Sequence, residues 1–208
     1  MLRCEDDRLL TGRGRYVDDL FPEGVAHAVV VRSAMAHARL RFVAVDQAIA
    51  VPGVLTVLTG EDLLRESVGP MRSRAPMVGY DGKPMVEPER PALALDVAKY
   101  AGQPVAFIVA ETLNAALEAA ELVDIGYEHL EPVTDLAHAV SSSAPQIWEE
   151  APRNISLDWR IGNCSDVDKA IEAADHVVEL TVNHPRAVIA PVEPRGCVGQ
   201  FDSATGKY

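Results

Sequence analysis

Residues 102–129 read GQPVAFIVAETLNAALEAAELVDIGYEH, and the fold class turns on them. The run 105–110 (VAFIVA) is short, continuous and apolar, which predicts a buried strand. Thr112 then predicts a cap for a helix over 113–123, because apolar residues at 113, 116, 117 and 120 recur at the spacing of one helix face. A strand returns over 123–127. Strand, helix and strand in succession predict a βαβ-like unit and a domain that mixes α and β.

Working outward, 25–32 (VAHAVVVR) is a second buried strand bounded by Gly24 and Ser33, and 38–46 (ARLRFVAVD) a third. Asp46 predicts an N-cap for a helical turn through Ala50, Pro52-Gly53 a turn, 54–58 a strand and 61–65 a short helix. Residues 67–92 are rich in proline, glycine and charge and have no apolar period; they predict a long irregular loop of the kind that often makes contacts. Residues 10–20, punctuated by Gly12 and Gly14, predict a loop feeding a short strand. Beyond Ser141-Ser142-Ser143-Ala144-Pro145, which reads as a flexible boundary, Ser165 predicts a cap for a helix over 166–174. Strands are expected over 177–182 and 196–201, with a hairpin turn at 202–206 (DSATG). Tyr208 falls where a returning strand should begin, so an unfinished hairpin is expected.

Composition narrows the function classes. Aromatics make up only 5% of the 208 residues, so the core is expected to rest on Val, Leu, Ile and Ala. A net charge of -12 argues against nucleic acid, since a phosphate backbone demands the opposite sign. Cys4, Cys164 and Cys197 are far apart and odd in number, which predicts reduced thiols rather than a zinc or iron–sulfur site. Residues 1–7 lack an apolar core, predicting no signal peptide, and no run is long enough to span a bilayer, so a cytoplasmic chain without membrane insertion is expected.

Chemistry is harder to find. Gly12-Arg13-Gly14 lacks the preceding strand and third glycine of a dinucleotide fingerprint and reads as a turn. His27 lies in an apolar strand and His37 in the following turn, close enough in sequence to approach each other; a structural role is the simpler reading. Glu111, Glu118, Glu121, Glu128 and Glu131 fit a solvated helix face and its exit better than a catalytic pair. His184-Pro185-Arg186 and Glu193-Pro194-Arg195-Gly196 place charges beside prolines, which suits either chemistry or an Arg–Glu ion pair holding a loop.

Several segments carry a resemblance when taken together. They are Arg8-Leu9-Leu10-Thr11-Gly12-Arg13-Gly14-Arg15-Tyr16-Val17-Asp18-Asp19, Arg32-Ser33-Ala34-Met35-Ala36-His37-Ala38-Arg39-Leu40, Pro52-Gly53-Val54, Arg90-Pro91-Ala92-Leu93-Ala94, Gly102-Gln103-Pro104-Val105-Ala106, 119–123 with Tyr127-Glu128, and Glu193-Pro194-Arg195-Gly196. In this order they resemble the molybdopterin-binding large subunit of the xanthine dehydrogenase, aldehyde oxidase and aerobic carbon monoxide dehydrogenase family. Ala34, Met35 and Asp7 depart from its usual pattern.

The resemblance implies an α+β fold: an α/β hammerhead domain over 1–140, a linker over 141–160, and the incomplete start of a molybdopterin-binding domain over 161–208. It implies hydroxylation of a carbon, or oxidation of CO, with water supplying the oxygen. In the complete enzyme it implies a molybdenum cofactor, with iron–sulfur and FAD subunits as electron partners. None of this chain's residues is assigned as catalytic base, cofactor ligand or metal ligand; Glu193 corresponds to a strand entry. The chain alone is therefore expected to hold no cofactor and to be inactive. The alternative is a non-catalytic interaction module docking on a separate chain that carries the remaining cofactor-binding domain.

Overall fold

In the computed structural model, residues 3–182, 184, 188–191 and 193–208 are described. They form two units, Met1–Val25 with Ala173–Tyr208, and Ala26–Glu172. In the first, a short helix α1 (Asp6–Leu10) precedes a 3-10 turn at Val17–Asp19. That turn replaces the short strand expected near residue 20, because the Asp19 carboxylate reaches back to accept the Tyr16 N–H at 2.9 Å and closes it. The 202–206 turn forms as expected: Asp202 bridges to Lys207, and Gly206 takes the left-handed φ of 66°.

The strands expected over 177–182 and 196–201 are not formed. A strand needs a neighbour's N–H and C=O groups, and among the described residues neither stretch pairs with one. Their apolar side chains stand open, with Val178 92% and Leu180 80% exposed.

The second unit holds two three-stranded sheets. Its elements are β1 (His27–Arg32), β2 (Ala38–Ala44), α2 (Asp46–Ile49), β3 (Val54–Thr59), α3 (Gly60–Arg65), β4 (Val97–Ala98), β5 (Pro104–Ala110), α4 (Leu113–Glu121), β6 (Asp124–His129), α5 (Leu136–Ala139) and α6 (Cys164–Glu172). One sheet runs β1-β5-β3 and the other β4-β2-β6, with every pairing antiparallel. The βαβ-like unit expected from 105–127 therefore does not form. Both edges of β5 are taken, by β1 and β3, so the chain leaving α4 has no place beside it and pairs with β2 instead.

The core follows from that central position. Ala106, Ile108 and Ala110 point from β5 toward Ala116 and Ala119 of α4, all 0% exposed, with Val57 and Ala48 closing the cluster. Small residues on α4 let the helix approach the sheet closely, and Thr112 caps it by accepting the Ala115 N–H at 3.2 Å. Two other expected caps shift. Asp46 is the first residue of α2 rather than its cap, which is Val45 with no side-chain bond. At α6 it is Asn163, not Ser165, that accepts the Asp166 N–H, at 3.3 Å, so the helix starts earlier.

Candidate functional site: a divided cavity beneath residues 145–160

The long 67–92 segment stays irregular, yet it is not structureless. Met71 bridges Arg90 and Val78 bridges Pro84, folding the segment back on itself. Residues 145–160 lie against it. Asn154 organises their course: its amide donates to the carbonyls of Ala139 (2.9 Å) and Pro145 (3.0 Å), and its Oδ1 accepts the Ile147 N–H at 2.9 Å. To make these bonds both Arg153 and Asn154 take left-handed φ values of 57°.

Between the two segments lies a cavity of about 450 Å³, a size suited to a small ligand. Met71, Met85, Pro88 and Trp148 supply apolar wall, while Arg72, Glu87, Glu89 and Arg90 bring two charges of each sign. The Lys99 ammonium stands 3.9 Å from the centre of the Trp148 ring, a cation–π contact that fixes this wall. A second cavity of about 270 Å³ adjoins it, bounded by Tyr80, Asp81, Leu157 and Asp158. Asp81 there is held below the usual carboxylate range, first by the Lys83 backbone N–H (3.1 Å) and then by its ammonium (3.2 Å). Only the loop-forming character of 67–92 was legible in sequence. The cavity itself depends on contacts between residues some 70 positions apart, which no local pattern encodes.

The residues singled out by sequence fall elsewhere. His27 pairs with Ala110 in one sheet, whereas His37 adjoins the other, its Nδ1 at 2.7 Å from the Glu131 carbonyl. The structure thus sets the two histidines against different sheets. Glu111, Glu118, Glu121 and Glu131 are exposed, as a solvated face requires. Glu128 is different, for its Oε2 lies between Arg39 (3.7 Å) and Arg41 of β2, a cross-strand charge cluster. His184 is exposed; Pro185 and Arg186 lie outside the described residues. Glu193 does hold a loop, but through an amide rather than an arginine: its Oε1 accepts the Val17 N–H at 2.7 Å.

Cys4, Cys164 and Cys197 are exposed free thiols. Among the described residues no group of three or more His, Cys, Asp or Glu side chains is placed to hold a metal, and no helix is long and apolar enough to cross a membrane. Among the described residues after 176, Val177, Val178, Leu180 and Val182 are exposed.

Comparison with known proteins bears on the whole chain. Residues 11–131 match the family described as aldehyde oxidase and xanthine dehydrogenase, a/b hammerhead domain, and residues 147–208 match the molybdopterin cofactor-binding domain. The chain is 37% identical to the nicotine 6-hydroxylase large subunit of Paenarthrobacter nicotinovorans, over 96% of its own length and 24% of that protein's. It is 32% identical to the carbon monoxide dehydrogenase large chain of Hydrogenophaga pseudoflava, over 97% of itself and 25% of the relative. Among solved structures, reconstituted CO dehydrogenase from Oligotropha carboxidovorans superposes with a TM-score of 0.68 at 29% identity, covering 85% of this chain and 22% of that one. The chain thus spans about a quarter of the length of the curated relatives it matches.

Proposed function

Because the chain belongs to the aldehyde oxidase and xanthine dehydrogenase family, we propose that it serves as the N-terminal part of a molybdenum hydroxylase large subunit. One observation carries the reading: a hammerhead match and a cofactor-binding match follow one another along the same chain. In this reading residues 1–140 are the hammerhead domain, 141–160 a linker, and 161–208 the opening of the first molybdopterin-binding domain. The complete protein hydroxylates a carbon substrate or oxidises CO, with water as the oxygen source. Electrons leave its molybdenum cofactor through iron–sulfur and FAD partners, and the whole works in the cytoplasm.

The chain's own part is to position that cofactor-binding domain, not to perform the chemistry. Support comes from the outward-facing apolar side chains after residue 176, which suit packing against further cofactor-binding sequence. The test is to purify the chain and assay it for molybdenum by metal analysis and for pterin by fluorescence. Neither is expected to be retained, and stoichiometric molybdenum would sink the claim that the site lies elsewhere.

The same exposed residues favour a second reading, in which this chain docks as a separate module on a partner carrying the rest of the domain. Co-expression with such a partner should then protect residues 160–208 from hydrogen exchange and restore dye-linked dehydrogenase activity. Unchanged exchange over 160–208 would count against docking.

A further inference from the structure

The two cavities beneath residues 145–160 share three wall residues, Met85, Val86 and Ser156. Two of the three, Val86 and Ser156, are hydrogen-bonded to each other. The Val86 N–H donates to the Ser156 carbonyl at 2.8 Å, and the Ser156 hydroxyl donates back to the Val86 carbonyl at 2.7 Å. We propose that residues 155–161 are a hinged strap, that Ser156–Val86 is its latch, and that opening it joins the two cavities into one continuous groove.

The hinges are visible at both ends of the segment. Arg153 and Asn154 precede it in left-handed conformation, and Gly162 follows it at φ 97°. Beyond the latch, little holds the strap: the Tyr80 N–H donates to the Asp158 carbonyl at 3.0 Å, and the Arg160 guanidinium lies 4.1 Å from the Tyr80 ring centre. Ser156, Asp158 and Arg160 are exposed, and Ile161 is 80% exposed. The segment preceding the hinge is better seated, with Ala151 only 3% exposed and Trp148 fixed beneath Lys99. Ile155 and Leu157 of the strap are half-buried against the second cavity, so opening it breaks these few interactions and uncovers two apolar side chains, whereas exposing Ile108 means unfolding the sheet. Segments held in this way open independently of the global transition.

Residue-resolved amide hydrogen exchange on the full chain tests this, because the Val86 and Tyr80 N–H groups are both strap contacts. In the wild type both are expected to exchange at least ~100-fold faster than Ile108 of β5, the ratio of local to global opening. Ser156→Ala removes the hydroxyl half of the latch and should quicken Val86 a further ~3–10-fold, the equivalent of one exposed hydrogen bond. Gly162→Ala is the second variant. A Cβ there meets nothing within 4 Å, so it acts only by straining the closed backbone. It should quicken Val86 and Tyr80 together and leave Ile108 unchanged. Val86 and Tyr80 exchanging at the Ile108 rate in the wild type, or neither variant altering Val86, would overturn the proposal.

Discussion

The Val17 amide donates a 2.7 Å hydrogen bond to Glu193 Oε1, joining two residues 176 positions apart. Val17 opens a 3-10 turn, where backbone N–H groups lack partners, and the carboxylate supplies one. The same neighbourhood is tight: a Cβ added to Gly196 would lie 3.0 Å from Val17 Cγ1. Glu193 and Gly196 of the Glu-Pro-Arg-Gly motif thus both work on Val17. Glu193→Ala should quicken Val17 amide exchange ~10-fold, as expected for loss of a hydrogen bond to a charged acceptor. Glu193→Gln keeps an oxygen and should recover part of the protection. Unchanged exchange at Val17 in Glu193→Ala would remove this role.

Gly126 of β6 lies under the ring of Phe42, its cross-strand partner in β2. A Cβ at Gly126 would fall 2.6 Å from Phe42 Cδ1, well inside contact distance. Gly126→Ala is expected to destabilise the chain by about 1–3 kcal/mol in urea denaturation, the usual cost of overpacking. Since the obstacle is a half-exposed side chain, Phe42→Ala in the same chain should recover much of the loss. Two losses that simply add would show that the ring is not the cause.

Ile108 is fully buried between β1, β3 and α4. Truncation to Ala leaves a void that small alanines on α4 cannot fill, so a loss of about 2–5 kcal/mol is expected. Leu117, 48% exposed on the same helix, is the control and should cost well under 1 kcal/mol when truncated. Similar costs at both positions would move the core away from β5.

Part of the acid sensitivity should lie at the start of α3. The Asp62 carboxylate accepts both the hydroxyl and the N–H of Thr59, each at 2.8 Å, and these bonds, ahead of Arg65, hold its pKa below the usual 3.8. A depressed folded-state pKa means that the stabilisation is complete above the unfolded value and fades as pH falls through the folded one. Stability measured by denaturation should therefore fall below about pH 4, and Asp62→Asn should flatten that part of the profile. An unchanged slope in Asp62→Asn would place the acid response elsewhere.

How much of this was legible depended on the distance over which each feature is encoded. The strand at 105–110, the Thr112 cap and the helix after it are set by residues within a turn of one another, and all three are present. The expected face is not the one buried: α4 turns Ala116 and Ala119 inward and leaves Leu113 and Leu117 half exposed. The error at 105–127 lay in the partners. Periodicity marks β5 and β6 as strands, but only β1 and β3, tens of residues earlier, decide that β5 has no free edge left. The candidate site fails to declare itself for the same reason. Its walls come from 67–92 and 145–160, and Asn154, whose side chain organises the second segment, looks in sequence like any loop asparagine. At 177–182 the apolar pattern is strand-like, yet a pattern cannot supply the neighbour that a ladder requires.

The threading of the two sheets also sets an order in time. As the chain emerges from the ribosome, β1 and β2 come first, but Val29 must wait for Ile108 and Val43 for Ile125. Until β5 is made, β1 and β3 have no shared centre to join, and until α4 has passed, β2 lacks its longer neighbour. Contacts so distant in sequence fold slowly, because the intervening loop must close before any pairing rewards it. For most of its synthesis, this unit of the protein is a set of apolar strands with open edges, and the β5–α4–β6 segment that decides its fold is also the one that ends the wait.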